Sequence, residues 1–272
     1  MMNPPNRISA IMLDWAGTTV DHGSLAPVLA LQTLFANHGI QIATEDARRD
    51  MGLLKRDHIQ AILQLDKVRV AWTKQFGGKP SREDLDALYT EFGPLQMDII
   101  TKNSQVIDGV PEAAARWRAR DIRIGSTTGY TRAMLARVIA QARSQGYGPD
   151  ASVCPDEVGA GRPAPWMLFR NAQLLNVYPL CRCVKIGDTI SDIEEGRNAG
   201  MWTIGLTRTG NMVGLDAPTF AALPESQKQH LILRAGEAFQ NNGAHYVAED
   251  LAACEPILSE IESLLRQGIK PD

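Results

Sequence analysis

Ile11-Met12-Leu13-Asp14-Trp15-Ala16-Gly17-Thr18-Thr19 is an apolar run that stops at one carboxylate and passes at once into small, turn-forming residues. The run is short enough for a buried strand, and the carboxyl ends of such strands are where open α/β sheets hold their ligands. Asp14 is thus the expected centre of chemistry, although an aspartate that ends a strand can also do no more than cap the next turn. The other strand ends decide between the two.

After this turn the pattern becomes helical and stays so for roughly eighty residues. Segments 25–38, 44–50, 54–76 and 81–102 have helical spacing and are separated by Gly39, Gly52 and Gly77-Gly78-Lys79-Pro80. In the third, Ile59, Ile62, Leu63 and Val70 fall on one apolar face. From Val106 strands and helices alternate: a helix from Pro111, a strand 122–125 ending in Ser126-Thr127-Thr128-Gly129, and a helix 131–144. A strand 152–154, a loop 159–165 holding Arg162, and a helix through Leu175 follow. A strand 183–186 runs into Gly187-Asp188-Thr189-Ile190-Ser191-Asp192, then come a helix to Gly200 and a strand 202–206. Beyond Thr207 the pattern gives a helix 224–240, a strand 245–247 and a helix 254–266. Repeated strand-helix units predict an α/β core, a parallel sheet with helices on both faces. The all-helical stretch predicts an inserted domain at 22–104, with the core formed by 1–21 and 105–272.

With 272 residues, 44% of them hydrophobic, the chain can bury a sizeable core. A net charge of -3 with interspersed signs gives no footprint for nucleic acid, and no 18 apolar residues run together to cross a membrane. A small-molecule partner is expected. The opening Met1-Met2-Asn3-Pro4-Pro5-Asn6-Arg7 lacks the apolar stretch of a secretory signal, so a cytoplasmic location is expected. Cys154, Cys181, Cys183 and Cys254 have no paired zinc-type spacing and read as reduced, buried thiols.

Four strand ends therefore carry polar groups: Asp14, the Ser126-Thr127-Thr128 cluster, the Arg162 loop, and Asp188 with Asp192. In a parallel sheet these ends share one edge and converge on one crevice. Three carboxylates with no histidine beside them suit a hard cation such as Mg2+ rather than zinc. Hydroxyls and an arginine suit a phosphoryl or phosphonyl group.

The ordered set resembles the haloacid dehalogenase superfamily, whose phosphotransferases place an aspartate nucleophile after the first strand, then a Ser/Thr, a basic residue and an acidic pair. That resemblance implies a Rossmann-like core, Mg2+, and a helical cap inserted just after the nucleophile turn. Most phosphatases of the superfamily have Asp-x-Asp at the first motif, and here the second place is Ala16. The longer strings Asp14-Trp15-Ala16-Gly17-Thr18-Thr19, Met51-Gly52-Leu53-Leu54-Lys55-Arg56-Asp57-His58, Gly125-Ser126-Thr127-Thr128-Gly129-Tyr130 and Gly161-Arg162-Pro163 are similar to the phosphonatase family. The resemblance implies cleavage of the carbon-phosphorus bond of phosphonoacetaldehyde, a small phosphonate, with a Schiff base on Lys55 and an aspartyl phosphate on Asp14. It also implies Mg2+ held by Asp14, Asp188 and the Ala16 carbonyl, and a homodimer.

Expelling a carbanion from phosphorus is unfavourable unless its electrons have a sink, which an iminium on Lys55 supplies. For that the amine must be neutral, so its pKa must lie well below about 10.4. Met51 and His58, four before and three after Lys55, share its face if the helix extends that far; His58 reads either as a proton relay or as a plain surface histidine, and Met51 either as part of the site or as core packing. Thr128 is the phosphonyl-binding hydroxyl by resemblance, while Ser126 and Thr127 stand too close in sequence to be separated from it. Arg162 is the expected basic clamp; Lys185 lies inside a strand and reads as facing away from its end. Asp192 is expected to orient other groups, and Tyr130 either lines the pocket or packs a helix. Two other readings stand beside the first: a haloacid dehalogenase-type phosphatase or phosphomutase acting on a phosphate ester, and a catalytically silent phosphate sensor.

Overall fold

The computed structural model describes residues 7–272, so the opening segment weighed as a secretory signal lies, apart from Arg7, outside the described residues. β1 (Ala10–Leu13) is buried along its whole length between β2 (Arg123–Thr127) and β4 (Cys183–Gly187). β3 (Ala151–Val153) pairs outside β2, and β5 (Trp202–Leu206) and β6 (Tyr246–Ala248) lie outside β4; every pairing is parallel. Ile11 and Leu13 pack on one face with Ile124, Val184 and Ile186, whereas Ala10 and Met12 pack on the other with Leu168, Cys183 and Met201. A strand buried on both sides reads as the unbroken apolar run seen in the sequence. In the order β3-β2-β1-β4-β5-β6 the direction of winding reverses between β1 and β4, which opens a crevice above their carboxyl ends.

Between β1 and β2 lie α1 (Leu25–Asn37), α2 (Thr44–Arg49), α3 (Lys55–Gln64), α4 (Asp66–Phe76) and α5 (Arg82–Asn103). Leu31, Leu34, Phe35, Ile59, Ile62, Trp72 and Phe92 give these helices a hydrophobic cluster separate from the sheet's. The start of α5 follows from its residues: Ser81 Oγ accepts from the Asp84 N–H at 3.1 Å and the Asp84 carboxylate accepts from the Ser81 N–H at 2.8 Å. The two connections back to the sheet touch each other, with the Asp21 N–H donating to the Gln105 carbonyl at 2.9 Å. The Asp21 carboxylate then accepts from the N–H groups of Leu25 and Ala26 and so caps α1.

The remaining helices are α6 (Val110–Ala119), α7 (Arg132–Ser144), α8 (Trp166–Leu175), α9 (Ile190–Asn198), α10 (Ala217–Ala222), α11 (Glu225–Asn241) and α12 (Cys254–Arg266). The single helix expected over 54–76 is two. Leu65 is extended, at φ -63° and ψ 131°, and Val70 beyond the break is 69% exposed instead of sharing a face with Ile59. The strand expected to end at Gly125 runs on through Thr127, which changes the reading of the hydroxyl cluster below. Cys154, Cys183 and Cys254 are buried and Cys181 is partly exposed, all as free thiols. Among the described residues no helix is long and apolar enough to cross a membrane.

Candidate active site

Asp14 leaves β1 at the crevice, where its N–H donates to the Ile186 carbonyl at 3.1 Å and locks the turn to β4. Asp188 follows β4 directly and is completely buried. Its Oδ2 accepts from the Asn211 N–H at 2.7 Å, and the Thr18 hydroxyl donates to its Oδ1 at 3.4 Å. Two glycines make room for it. A Cβ on Gly17, where φ is +82°, would lie 2.2 Å from the Asp188 carboxylate oxygen, and one on Gly210 would lie 2.3 Å from the Asp188 Cβ.

Beneath these two acids lies a buried polar network. Arg162 Nη2 donates to Asp14 Oδ1 at 2.7 Å and to Thr127 Oγ1 at 2.7 Å, while its Nε donates to Glu195 Oε2 at 3.0 Å. Lys185 Nζ donates to Thr127 Oγ1 at 2.8 Å and pairs with Asp192 at 2.8 Å and Glu195 at 3.3 Å. Asp192 also pairs with Arg162 at 3.1 Å and accepts from Thr189 Oγ1 at 2.6 Å and from the Thr189 N–H at 3.2 Å, the last of which caps the start of α9. The capped-helix reading of this motif thus holds for Asp192, whose carboxylate is at the same time tied to Arg162.

These contacts sort the carboxylates. Burial pushes Asp14 up to about 6 against the pull of Arg162, and burial, Asp14 and Asp192 push Asp188 well above the carboxylate range. Asp192 is held below it, since Arg162 and Lys185 outweigh burial. Asp14, Asp188 and Asp192 each bring a carboxylate oxygen within 4.8 Å of the others. Of the four buried carboxylates Asp14, Asp188, Asp192 and Glu195, the ion pairs of Arg162 and Lys185 reach all but Asp188, which has none among the described residues. An oxygen-only donor set with excess negative charge fits a hard divalent cation such as Mg2+.

Across the crevice from Asp14 stands Lys55, the first residue of α3. It is 5% exposed, its Nζ lies 3.8 Å from the Met51 sulfur, and burial lowers its pKa from 10.5 to about 8, opposed by Asp14 and helped by Arg162. Asp14, Ala16, Met51, Lys55, Thr128, Tyr130, Arg162 and Asp188 line one small cavity of about 20 Å3. That is room for little more than a water molecule. A larger cleft of about 480 Å3, among Arg56, Leu63, Arg69, Lys79, Arg82 and Leu85, has no acid in its described lining and lies apart from this chemistry.

Residues 8–200 match the family model for haloacid dehalogenase-like hydrolases. The chain belongs to that family. This hydrolase is 43% identical over 256 residues to the phosphonoacetaldehyde hydrolase of Bacillus cytotoxicus, covering 94% of this chain and 97% of that one. It is 41% identical over 264 residues to the phosphonoacetaldehyde hydrolase of Nitratidesulfovibrio vulgaris, covering 97% and 94%. The crystal structure of a phosphonoacetaldehyde hydrolase-like protein from Oleispira antarctica superposes with a TM-score of 0.96 at 38% identity, covering 100% of both chains.

Four residues singled out from the sequence of this haloacid dehalogenase-like hydrolase stand off the cavity. Ser126 faces the other side of β2, its Oγ accepting from Trp15 Nε1 at 2.9 Å and donating to Ser152 at 2.8 Å, away from the cavity. Thr127, on the opposite face, is spent on Arg162, Lys185 and Glu195. Because β2 ends two residues later than expected, its alternation separates the three hydroxyls and leaves Thr128 at the cavity. Asp192 lies behind Arg162. His58 is fully buried, and burial and then Lys55 lower it to about 3 against the pull of the Ala47 backbone. Neither of its ring nitrogens has a partner of normal hydrogen-bond geometry.

The shared face of Met51, Lys55 and His58 is not one helix, since α3 begins at Lys55 and Met51 reaches the amine from the preceding turn. Lys185 does not face away from the site. Its long stem carries the ammonium up the strand beside Gly196, where a Cβ would lie 2.8 Å from that of Lys185. Glu195, Asn211 and Arg48 carry no motif signal and are found only through the contacts that the fold creates.

Proposed function

We propose that this chain hydrolyses phosphonoacetaldehyde to acetaldehyde and phosphate, with residues 22–104 acting as a cap over the sheet. The observation that carries this reading is Lys55. It is a buried amine lowered to about 8, it lines the same cavity as the Asp14 carboxylate, and Ala16 stands where an ester phosphatase would have a second acid.

The neutral Lys55 amine adds to the aldehyde and expels water, forming an imine that is protonated to an iminium. Asp14 attacks phosphorus as the carbon-phosphorus bond breaks, and the bonding electrons pass into the iminium to give an enamine. Protonation of the enamine carbon and addition of water to the resulting iminium free Lys55 and release acetaldehyde. Water then splits the aspartyl phosphate, so the net reaction consumes one water. Arg162 and Thr128 orient the phosphonyl oxygens, and Arg162 also holds Asp14 in line. Met51 and Tyr130 line the pocket around the aldehyde. His58, neutral at rest, relays the protons of imine formation. Asp14, Asp188 and the Ala16 carbonyl would hold Mg2+, which when bound supplies positive charge against the repulsion between a carboxylate and an anionic phosphonate.

The same reading takes the chain to be a cytoplasmic homodimer. The free thiols support the location, and the exposed Trp166, Leu174 and Tyr178 on and beyond α8 are an apolar surface that a second copy would cover. Steady-state phosphate release tests the function. Phosphonoacetaldehyde is expected to be turned over far faster than p-nitrophenyl phosphate, and the reverse order would replace this reading with an ester phosphatase.

A further inference from the structure

Arg48, at the C-terminal end of α2, reaches out of the cap and into the core. Its Nη1 donates to the Gly23 carbonyl at 2.9 Å and to Asn211 Oδ1 at 3.0 Å, and its Nη2 donates to the Gly214 carbonyl at 3.0 Å. Asn211 answers with a hydrogen bond from Nδ2 to the Arg48 carbonyl at 3.3 Å. The core segment is shaped to receive this fork. Gly214 has φ +69°, and a Cβ there would lie 2.7 Å from the guanidinium carbon. Asn211 is also the residue whose N–H holds the Asp188 carboxylate. One side chain therefore joins three pieces: the cap, the linker at Gly23, and the loop that fixes an acid of the site.

The neighbouring contacts show what this junction governs. Just beyond Arg48 along the chain, the Met51 carbonyl accepts from the Ser191 hydroxyl at 3.2 Å, and a Cβ on Gly52 would lie 2.1 Å from the Ser191 Oγ. Cap and core are thus seated without a gap where the chain leads into Lys55. The cavity of about 20 Å3 left between them is too small for a seven-heavy-atom substrate, so the cap must lift for entry and return for Lys55 to stand over Asp14.

We propose that Arg48 is a positioning residue for the reaction, a latch that clamps the cap on the 211–214 loop and so sets Lys55 over Asp14. The role of Lys55 rests on the function proposed above, but the clamp itself does not. A guanidinium suits it because its rigid planar fork donates from two separate nitrogens, Nη1 to Gly23 and Asn211 and Nη2 to Gly214, whereas an ammonium has one nitrogen to place.

Covalent labelling of the free enzyme with acetic anhydride, read peptide by peptide by mass spectrometry, tests the clamp without any substrate. In the wild-type protein Lys55 and Lys185, both buried, are expected to be protected. Arg48→Met is expected to raise labelling of Lys55 about tenfold while Lys185, deep in the core, stays protected, because the closed population falls by that factor. The KM for phosphonoacetaldehyde should rise by a similar factor with kcat changed less than about threefold. Arg48→Lys should fall between the two, and Asn211→Ala combined with Arg48→Met should be no worse than Arg48→Met alone. Unchanged Lys55 protection in Arg48→Met, or Lys185 exposed in step with Lys55, overturns the latch. Should Arg48→Met not fold, the same readings on Asn211→Ala decide. A wild-type enzyme that fails to turn over phosphonoacetaldehyde would overturn the function and leave the labelling result intact.

Discussion

Replacing Lys55 with methionine should destroy activity and at the same time stabilise the protein at neutral pH. The side chain is 5% exposed, and folding lowers its pKa from 10.5 to about 8. A tenfold change in proton affinity is worth about 1.4 kcal/mol, so this lowering makes folding less favourable by about 3 kcal/mol at pH 7, an upper bound for what methionine can recover. A lysine whose folded pKa is depressed carries its full penalty below the folded value near 8. The penalty is relieved as pH rises and is gone above the unfolded value near 10.5. Methionine keeps the volume and length of the side chain, beside Met51, without the charge. For a chain of this size about 2–4 °C of melting temperature accompanies each kcal/mol, so a gain of up to about 10 °C is expected at pH 7. Melting curves of both proteins at pH 7 and pH 10, in metal-free buffer, are the assay. A wild-type-to-variant difference that does not shrink between the two pH values, or a variant less stable at pH 7, would refute the claim that burial lowers the Lys55 amine.

Turnover at low phosphonoacetaldehyde concentration should rise about tenfold per pH unit below pH 8 and level off above it, since roughly a tenth of the amine is neutral at pH 7; a flat profile measured over pH 6–9 would contradict this. Ala16→Asp should lower phosphonoacetaldehyde turnover while leaving p-nitrophenyl phosphate hydrolysis equal or faster, because a carboxylate there adds negative charge beside the substrate and favours a protonated Lys55. Steady-state rates on both substrates check it, and undiminished phosphonoacetaldehyde turnover would make the alanine incidental. Lys185→Met should cost about 3–5 kcal/mol in urea unfolding, since it leaves the buried Asp192 and Glu195, with Asp14, to share Arg162 alone. A loss under about 1 kcal/mol would show that Arg162 alone satisfies both acids.

The sheet and its catalytic edge were legible because β1 and β4 are buried on both faces and end at acids. An apolar run closed by a carboxylate is a local signal, and the parallel order brings the ends together. Lys55 and Ala16 were legible through longer strings that span the sheet and the helical insert. The failures have a common physical origin in one-residue effects that patterning does not resolve. Extending β2 by two residues turns Ser126 to the far side and Thr127 into the ion network. Lys185 read as remote because a Cβ direction says little about where a four-carbon stem delivers its charge. Glu195 and Asn211 act through contacts between segments far apart in sequence, and neither leaves a trace in the spacing of its own. The break at Leu65 replaces one long helix by two without any glycine or proline to announce it.

Borohydride trapping tests the central claim, that Lys55 carries the substrate as an imine, most directly. Enzyme mixed with phosphonoacetaldehyde and reduced should lose activity and gain one adduct, found by peptide mass spectrometry on Lys55 and not on Lys185 or any exposed lysine. An adduct confined to another lysine, or full activity retained after reduction in the presence of substrate, would contradict it.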